Sequence, residues 1–177
     1  MNRQQKLVRD FNRAINTDRR ETPGMPSAEV RLLRARLILE ETLEVVQALG
    51  FDLYCDDPTG PTRITMTSAI LTPYHCFDQK QSIEPDMVEV VDGLCDIKYV
   101  VDGTADALGV DLDPFFEEVH YTNMQKLNGP KDANGKQLKP EGWHPPRIAD
   151  MLKSIDNVPQ DQQNDTLSSY LLRTKAR

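Results

Sequence analysis

Two clusters of acids sit inside apolar helical patterns: Glu40, Glu41 and Glu44 in ILEETLEVV, then Glu89, Asp92 and Asp96 in MVEVVDGLCDIKYVV. Residues three and four apart share a helix face, so Glu41 aligns with Glu44, Glu40 flanks them, and Glu89 lines up with Asp92 and Asp96. Leu37, Ile38, Leu39, Leu43, Val45 and Val46 surround the first cluster, and Val88, Val90, Val91, Leu94 and Ile97 the second. Neither helix has an evident face left for ordinary solvation of its acids. The pattern therefore predicts two core-facing helices that present carboxylates to each other, an arrangement that is costly unless cations neutralise it. Mg²⁺ or Mn²⁺ suits such a set, because hard ions take oxygen ligands, keep several waters and bind alongside substrate phosphates. A solvated acidic face is the ordinary account of an isolated EExxE triplet, and it fits these two helices less well.

A formal charge of −7 over 177 residues argues against a nucleic-acid-binding module, since phosphate backbones demand a basic surface. Small nucleotides remain compatible, held by metal ions and a few lysines. The 38% hydrophobic content suffices for one domain with a sizeable core. No apolar run approaches a membrane span, and MNRQQKLVRDF lacks the apolar core of a signal peptide. The expectation is a cytoplasmic protein without membrane partners, residing in the host cytoplasm if phage-encoded. Cys55, Cys76 and Cys95 are odd in number and unpaired in spacing, as in a reducing compartment. Cys55, His75 and Cys76 lack a fourth zinc ligand and CxxC spacing, and Cys95 reads as a small core residue.

Along the chain, residues 2–16 read as a first helix with Leu7, Phe11, Ala14 and Ile15 at helical spacing. A loop over 17–26 precedes Ser27, an N-cap for a helix running to about residue 49 and stopped by Gly50. Residues 51–82 differ in texture: a turn signal at 56–60 and β-branched alternation at 63–71 predict a short β-hairpin or flap, either covering the site or contacting another subunit. The second acidic helix starts near Pro85 or Asp86 and ends at Gly109. Gly93 and Gly103 within it cost about 1 kcal/mol each and so point to close helix approach. Asp113 as cap and Pro114 in the first turn begin a helix to about residue 127, with Phe115, Phe116, Val119 and Met124 as its apolar positions. There Asn123 and Lys126 share a face and precede Gly129, Lys131, Gly135, Lys136, Lys139 and Pro140, a loop able to close round a polyphosphate. Trp143 stacks on a base or pins the chain to the core, and pinning is the commoner role. Neither His120 nor His144 forms a nucleophilic dyad, and no P-loop or GxGxxG is present. Residues 1–150 form the expected domain, with 151–177 a flexible tail or an assembly arm.

The ordered set of EETLE at 40–44, EVVD at 89–92, the approach RLLRARLILEE, the stretch VDGLCDIKYVVDGTADALGVDLDPFFEEVHYTNMQKL and the tail NGKQLKPEGWHPP resembles the MazG-like nucleoside triphosphate pyrophosphohydrolases, the MazG/HisE-type fold. The separation of Glu44 from Glu89 is longer than in compact members and implies an insertion. The resemblance implies an all-α, MazG-like helical bundle that hydrolyses a nucleoside triphosphate to monophosphate and pyrophosphate. Glu41, Glu44, Glu89 and Asp92 would then hold Mg²⁺ or Mn²⁺, with Asp96 an outer ligand. Glu40 would position or deprotonate the attacking water or ligate a second ion. Crowded carboxylates are pushed toward neutrality and metals push them back, so Glu40 and Glu41 both stay candidates for the base. The family's matching Asn and Lys contact phosphates, which implies that role for Asn123 and Lys126 and extends it to Lys131 and Lys139, while Lys136 is the more exposed. Asn12 and Asn16 are candidates for base readout. Likeness to a phage branch of (d)GTP diphosphohydrolases, the MazZ type, puts dGTP or GTP first, ahead of dUTP or a broad dNTP range. Phosphoribosyl-ATP is the alternative substrate. A binding-only module is the alternative class, and the intact acidic positions argue against it. Family members assemble as dimers or tetramers, so a homodimer or homotetramer is expected.

Overall fold

The structure is a computed structural model that describes residues 1–53, 77–78, 84–133 and 135–175. Among them are six α-helices: α1 (Arg3–Ala14), α2 (Ala28–Ala48), α3 (Met87–Leu108), α4 (Asp113–Gln125), α5 (Ile148–Ser154) and α6 (Gln163–Lys175). The fold is all-α, as expected. The sole sheet among the described residues is a two-residue antiparallel ladder, β1 (Asp52–Leu53) with β2 (Phe77–Asp78), pairing Asp52 with Asp78 and Leu53 with Phe77. The body of the expected hairpin or flap, and Cys55, His75 and Cys76, lie outside the described residues. No described helix is long and apolar enough to cross a membrane.

Local chemistry fixes the helix ends. The Asn2 side chain accepts from the Gln5 N–H at 2.9 Å and caps α1, Ser27 Oγ accepts from Val30, and Asp86 Oδ1 accepts from Val88 at 2.8 Å at the start of α3. Gly109 closes α3 with φ +70°, and a Cβ there would fall 2.2 Å from the Thr22 carbonyl oxygen, so no other residue fits. Asp113 is the first residue of α4 rather than its cap. The N-cap is Leu112, and Asp111 Oδ1 accepts from the Asp113 N–H at 3.1 Å, so the acid that terminates the turn lies two residues earlier than expected.

The chain divides into two compact units, residues 1–31 with 102–177, and residues 32–101. In the first, α4, α5 and α6 pack around Phe115, Met151, Ile155, Leu167 and Leu171. Residues 151–177, expected as a flexible tail or assembly arm, thus supply four of the five buried side chains of this cluster. Burying them outweighs the polar composition of the segment.

Much of the remaining interior of this unit is polar. The face of α1 that is buried carries Gln5, Val8, Arg9 and Asn12, while Leu7, Phe11 and Ile15 are about half exposed. This reverses the orientation that the apolar spacing predicts. The cause is the turn after α3, whose backbone groups need partners. Gln5 Nε2 and Gln160 Nε2 both donate to the Val110 carbonyl, at 2.7 and 2.9 Å, Gln163 Nε2 donates to Gly109 at 2.8 Å, and Gln163 Oε1 accepts from Asp111 N–H at 3.0 Å.

In the second unit, α2 and α3 run antiparallel. The Asp86 N–H donates to the Ala48 carbonyl at 2.9 Å, and a Cβ on Gly93 would meet Val45 Cγ2 at 2.6 Å. Gly93 therefore permits the close approach that its place in a helix suggests. The apolar residues beside the acids do not all face inward: Leu39, Val88, Val91 and Leu94 are exposed, as is Cys95, which was expected in the core. Two helices in contact along one seam cover only one side of each, so apolar residues spread round both leave some in the open.

Candidate active site

The antiparallel seam sets the acids against one another. Glu41 lies one turn before Val45 on α2, Asp92 and Asp96 flank Gly93 on α3, and Glu41 is half-buried. Burial raises the Glu41 carboxyl above the ordinary glutamate range, and the charges of Glu44, Asp96, Glu40 and Asp92 add to it in that order. All four are carboxylates. Asp96, expected as an outer ligand, thus acts on Glu41 more strongly than Asp92 does. Glu89, at the exposed start of α3, lies a turn before Asp92.

The set is purely oxygen and carries several negative charges, and burial first, then the neighbouring carboxylates, hold the Glu41 carboxyl above its ordinary range. The chemistry of the set fits a hard divalent cation. Among the described residues no three His, Cys, Asp or Glu side chains converge closely enough to form a finished metal cage. The seam brings Glu40, Glu41, Glu44, Asp92 and Asp96 into electrostatic range without closing them on a point.

The candidate phosphate contacts belong to the other unit. Where α4 ends, the Lys126 N–H turns to the Asn123 carbonyl, and the chain tightens into a 3₁₀ turn at Lys126–Asn128. Lys126 Nζ donates to Asn123 Oδ1 at 2.6 Å, so the predicted pair does share a face. The following loop folds back on itself. Lys131 bridges Gln137, Leu138 N–H donates to the Pro130 carbonyl at 2.8 Å, and a Cβ on Gly129 would strike the Leu138 carbonyl oxygen at 2.2 Å. That closure returns Lys139 to the end of α4, where its Nζ lies 4.3 Å from the Trp143 ring centroid, with Lys126 Nζ at 5.4 Å. Lys131 and Lys136 are exposed on the loop. Trp143 Nε1 donates to the Thr122 carbonyl at 2.8 Å, which pins the ring to α4.

Asn12 and Asn16 part company. Asn12 is buried, and its Nδ2 donates to Asp106 Oδ2 at 3.1 Å, so its amide is committed to the interior of its own unit. Asn16 is exposed with φ +54°, a left-handed residue ending α1. Sequence reading also missed Glu118, fully buried and bound by Arg147 through Nε at 2.9 Å and Nη2 at 3.2 Å. That hydrogen bond raises the Arg147 guanidinium above its ordinary value, against the opposing effect of burial. The pair is 29 residues apart, with no periodic signal to link it.

A family model described as phosphoribosyl-ATP pyrophosphohydrolase matches residues 8–123, roughly two thirds of the chain. No curated protein matches the chain.

Proposed function

The chain belongs to the phosphoribosyl-ATP pyrophosphohydrolase family, within the MazG-like nucleotide pyrophosphohydrolases; from that membership we propose that it cleaves between the α- and β-phosphates of a nucleoside triphosphate, and from its likeness to a phage branch that dGTP or GTP is the leading substrate. It is an enzyme, a hydrolase acting on acid anhydrides, and the family depends on a divalent metal ion. The observation that carries the proposal is the crowding of Glu41 by Glu40 and Glu44 on its own helix and by Asp92 and Asp96 across the α2–α3 seam. Perturbed titration from specific neighbours is how a poised acidic centre differs from a solvated acidic face.

In this reading Glu41, Glu44, Glu89 and Asp92 hold Mg²⁺ or Mn²⁺, and Asp96 is near enough to Glu41 to join them. Side-chain rotations of the exposed Glu44, Glu89 and Asp92 bring their oxygens in. The dication these residues would hold would offset the phosphate charge and supply Lewis-acid activation of the attacking water. Glu40 or Glu41 takes the proton of the attacking water, as both carboxylates lie in the acidic cluster of the seam. Asn123, Lys126, Lys131 and Lys139 contact the polyphosphate and offset charge on the departing pyrophosphate. Asn16 keeps an exposed amide for base readout, whereas Asn12 would first have to leave Asp106.

The place of dGTP or GTP rests on the chain's likeness to the phage (d)GTP branch. The family's description names a second substrate, phosphoribosyl-ATP. Chromatography of products from each NTP, each dNTP and phosphoribosyl-ATP, with Mg²⁺ and Mn²⁺ separately, ranks them directly. Monophosphate with pyrophosphate supports the reaction. Diphosphate with inorganic phosphate, or binding without turnover, opposes it.

The partner we propose is a second copy of the chain in a homodimer or homotetramer, working in the cytoplasm. Leu7, Phe11 and Ile15 on α1, and Val88, Val91 and Leu94 on α3, are large apolar groups left exposed. Sedimentation of an active monomer contradicts this.

A further inference from the structure

Trp143 is the single tryptophan of the chain, and two of the proposed phosphate-binding lysines converge on its ring. Like charges repel, so bringing the ammoniums of Lys126 and Lys139 to one place needs a compensating negative surface. The π-face of indole supplies one, and it is the strongest of the aromatic side chains for this purpose. The ring itself is fixed. Its Nε1–H donates to the Thr122 carbonyl near the end of α4, and the indole is half-buried. Lys126 is fixed from its other side by Asn123 Oδ1, and Lys139 is delivered by a loop closed between Pro130 and Leu138 and packed against Gly129.

Resting on the proposed function, we infer that Trp143 is a positioning residue that holds the Lys126 and Lys139 ammoniums ready for a polyphosphate and yields them when it binds. A polyphosphate outcompetes a neutral ring for both cations, because charge-assisted hydrogen bonds to phosphate oxygens are stronger than attraction to a quadrupole. The ring thus organises the two cations beforehand, which lowers the ordering cost of binding. With Lys139 Nζ 4.3 Å from its centroid, the indole is engaged by a cation rather than left open for a nucleobase.

The lone tryptophan gives a direct optical readout. Inorganic triphosphate, which has neither base nor sugar, is titrated into the full-length protein with Mg²⁺ while intrinsic fluorescence and heat are followed together. A saturable fluorescence change that tracks the heat is expected, diminished in Lys139→Met and in Lys126→Met. Heat of binding with no fluorescence change overturns the inference and leaves the hydrolase reading standing. So does a change that appears with dGTP and not with triphosphate, the sign of base stacking.

Two variants separate positioning from mere anchoring, since both lose the bond to Thr122 and only one keeps a π-face. Trp143→Leu should raise KM about tenfold with kcat little changed, while Trp143→Phe recovers most of the loss. Equal KM increases in Phe and Leu variants that both remain folded by circular dichroism, or no increase in either, overturn the role. Absence of turnover by the wild-type protein on every triphosphate and on phosphoribosyl-ATP brings down the hydrolase reading, and this inference with it.

Discussion

The two units treat charge in opposite ways. In residues 1–31 with 102–177, buried polar groups meet complementary partners: Glu118 with Arg147, Asp106 with Asn12, and three glutamines with the turn after α3. In residues 32–101, Glu41 is raised by burial and by the charges of Glu44, Asp96, Glu40 and Asp92, like charges rather than complementary partners. Satisfied polar groups stabilise a fold, whereas like charges held together oppose it and persist where function requires them. The contrast marks the first unit's buried charges as structural and is what the proposed role of the second unit's acids rests on.

Substitution should break that contrast in opposite directions. In the second unit, Glu41→Gln or Asp92→Asn should cut turnover by about 10²-fold or more with the circular dichroism spectrum intact, and retained activity in either removes the acidic seam from the chemistry. In the first, Glu118→Ala strands a partly buried guanidinium and should cost about 3–5 kcal/mol in denaturant unfolding. A cost under about 1 kcal/mol would class the pair with ordinary surface salt bridges. Leu167→Ala should cost about 2–5 kcal/mol by the same measurement, and a negligible loss would return residues beyond 151 to the status of a tail.

The smallest effect concerns pH. Because the Glu41 carboxyl is raised in the fold, the folded chain binds its proton more readily than the unfolded chain does. That contribution to stability is fully present below the ordinary glutamate range and is lost as pH rises through the raised value. Glu41→Gln should therefore stabilise the metal-free protein slightly at pH 7, and the gain should vanish toward acid pH. Thermal unfolding with chelator at both pH values checks the sign, and a destabilised variant at pH 7 contradicts it.

Helix ends and the acidic seam were legible because their causes are local. Ser27, Gly50, Gly109 and the i, i+3, i+4 spacing of the acids each speak within one turn of helix. The orientation of α1 was not legible, since apolar spacing at Leu7, Phe11 and Ile15 identifies a face without saying what covers it. Gln5 and Arg9 are buried for partners that lie on or beside the α3–α4 connection and at Glu21. The α5–α6 core had a readable trace in the four-residue spacings Met151 to Ile155 and Leu167 to Leu171, diluted by polar neighbours. The lysines over Trp143 had none, because loop closure rather than periodicity brings them there.

Mn²⁺ uptake followed by electron paramagnetic resonance, comparing the wild-type protein with the Glu41→Gln/Asp92→Asn double variant, tests the central assignment most directly. The acidic seam as metal centre predicts that the wild type depletes the free-ion signal while the folded double variant leaves it in solution. Equal uptake by the two proteins would contradict it.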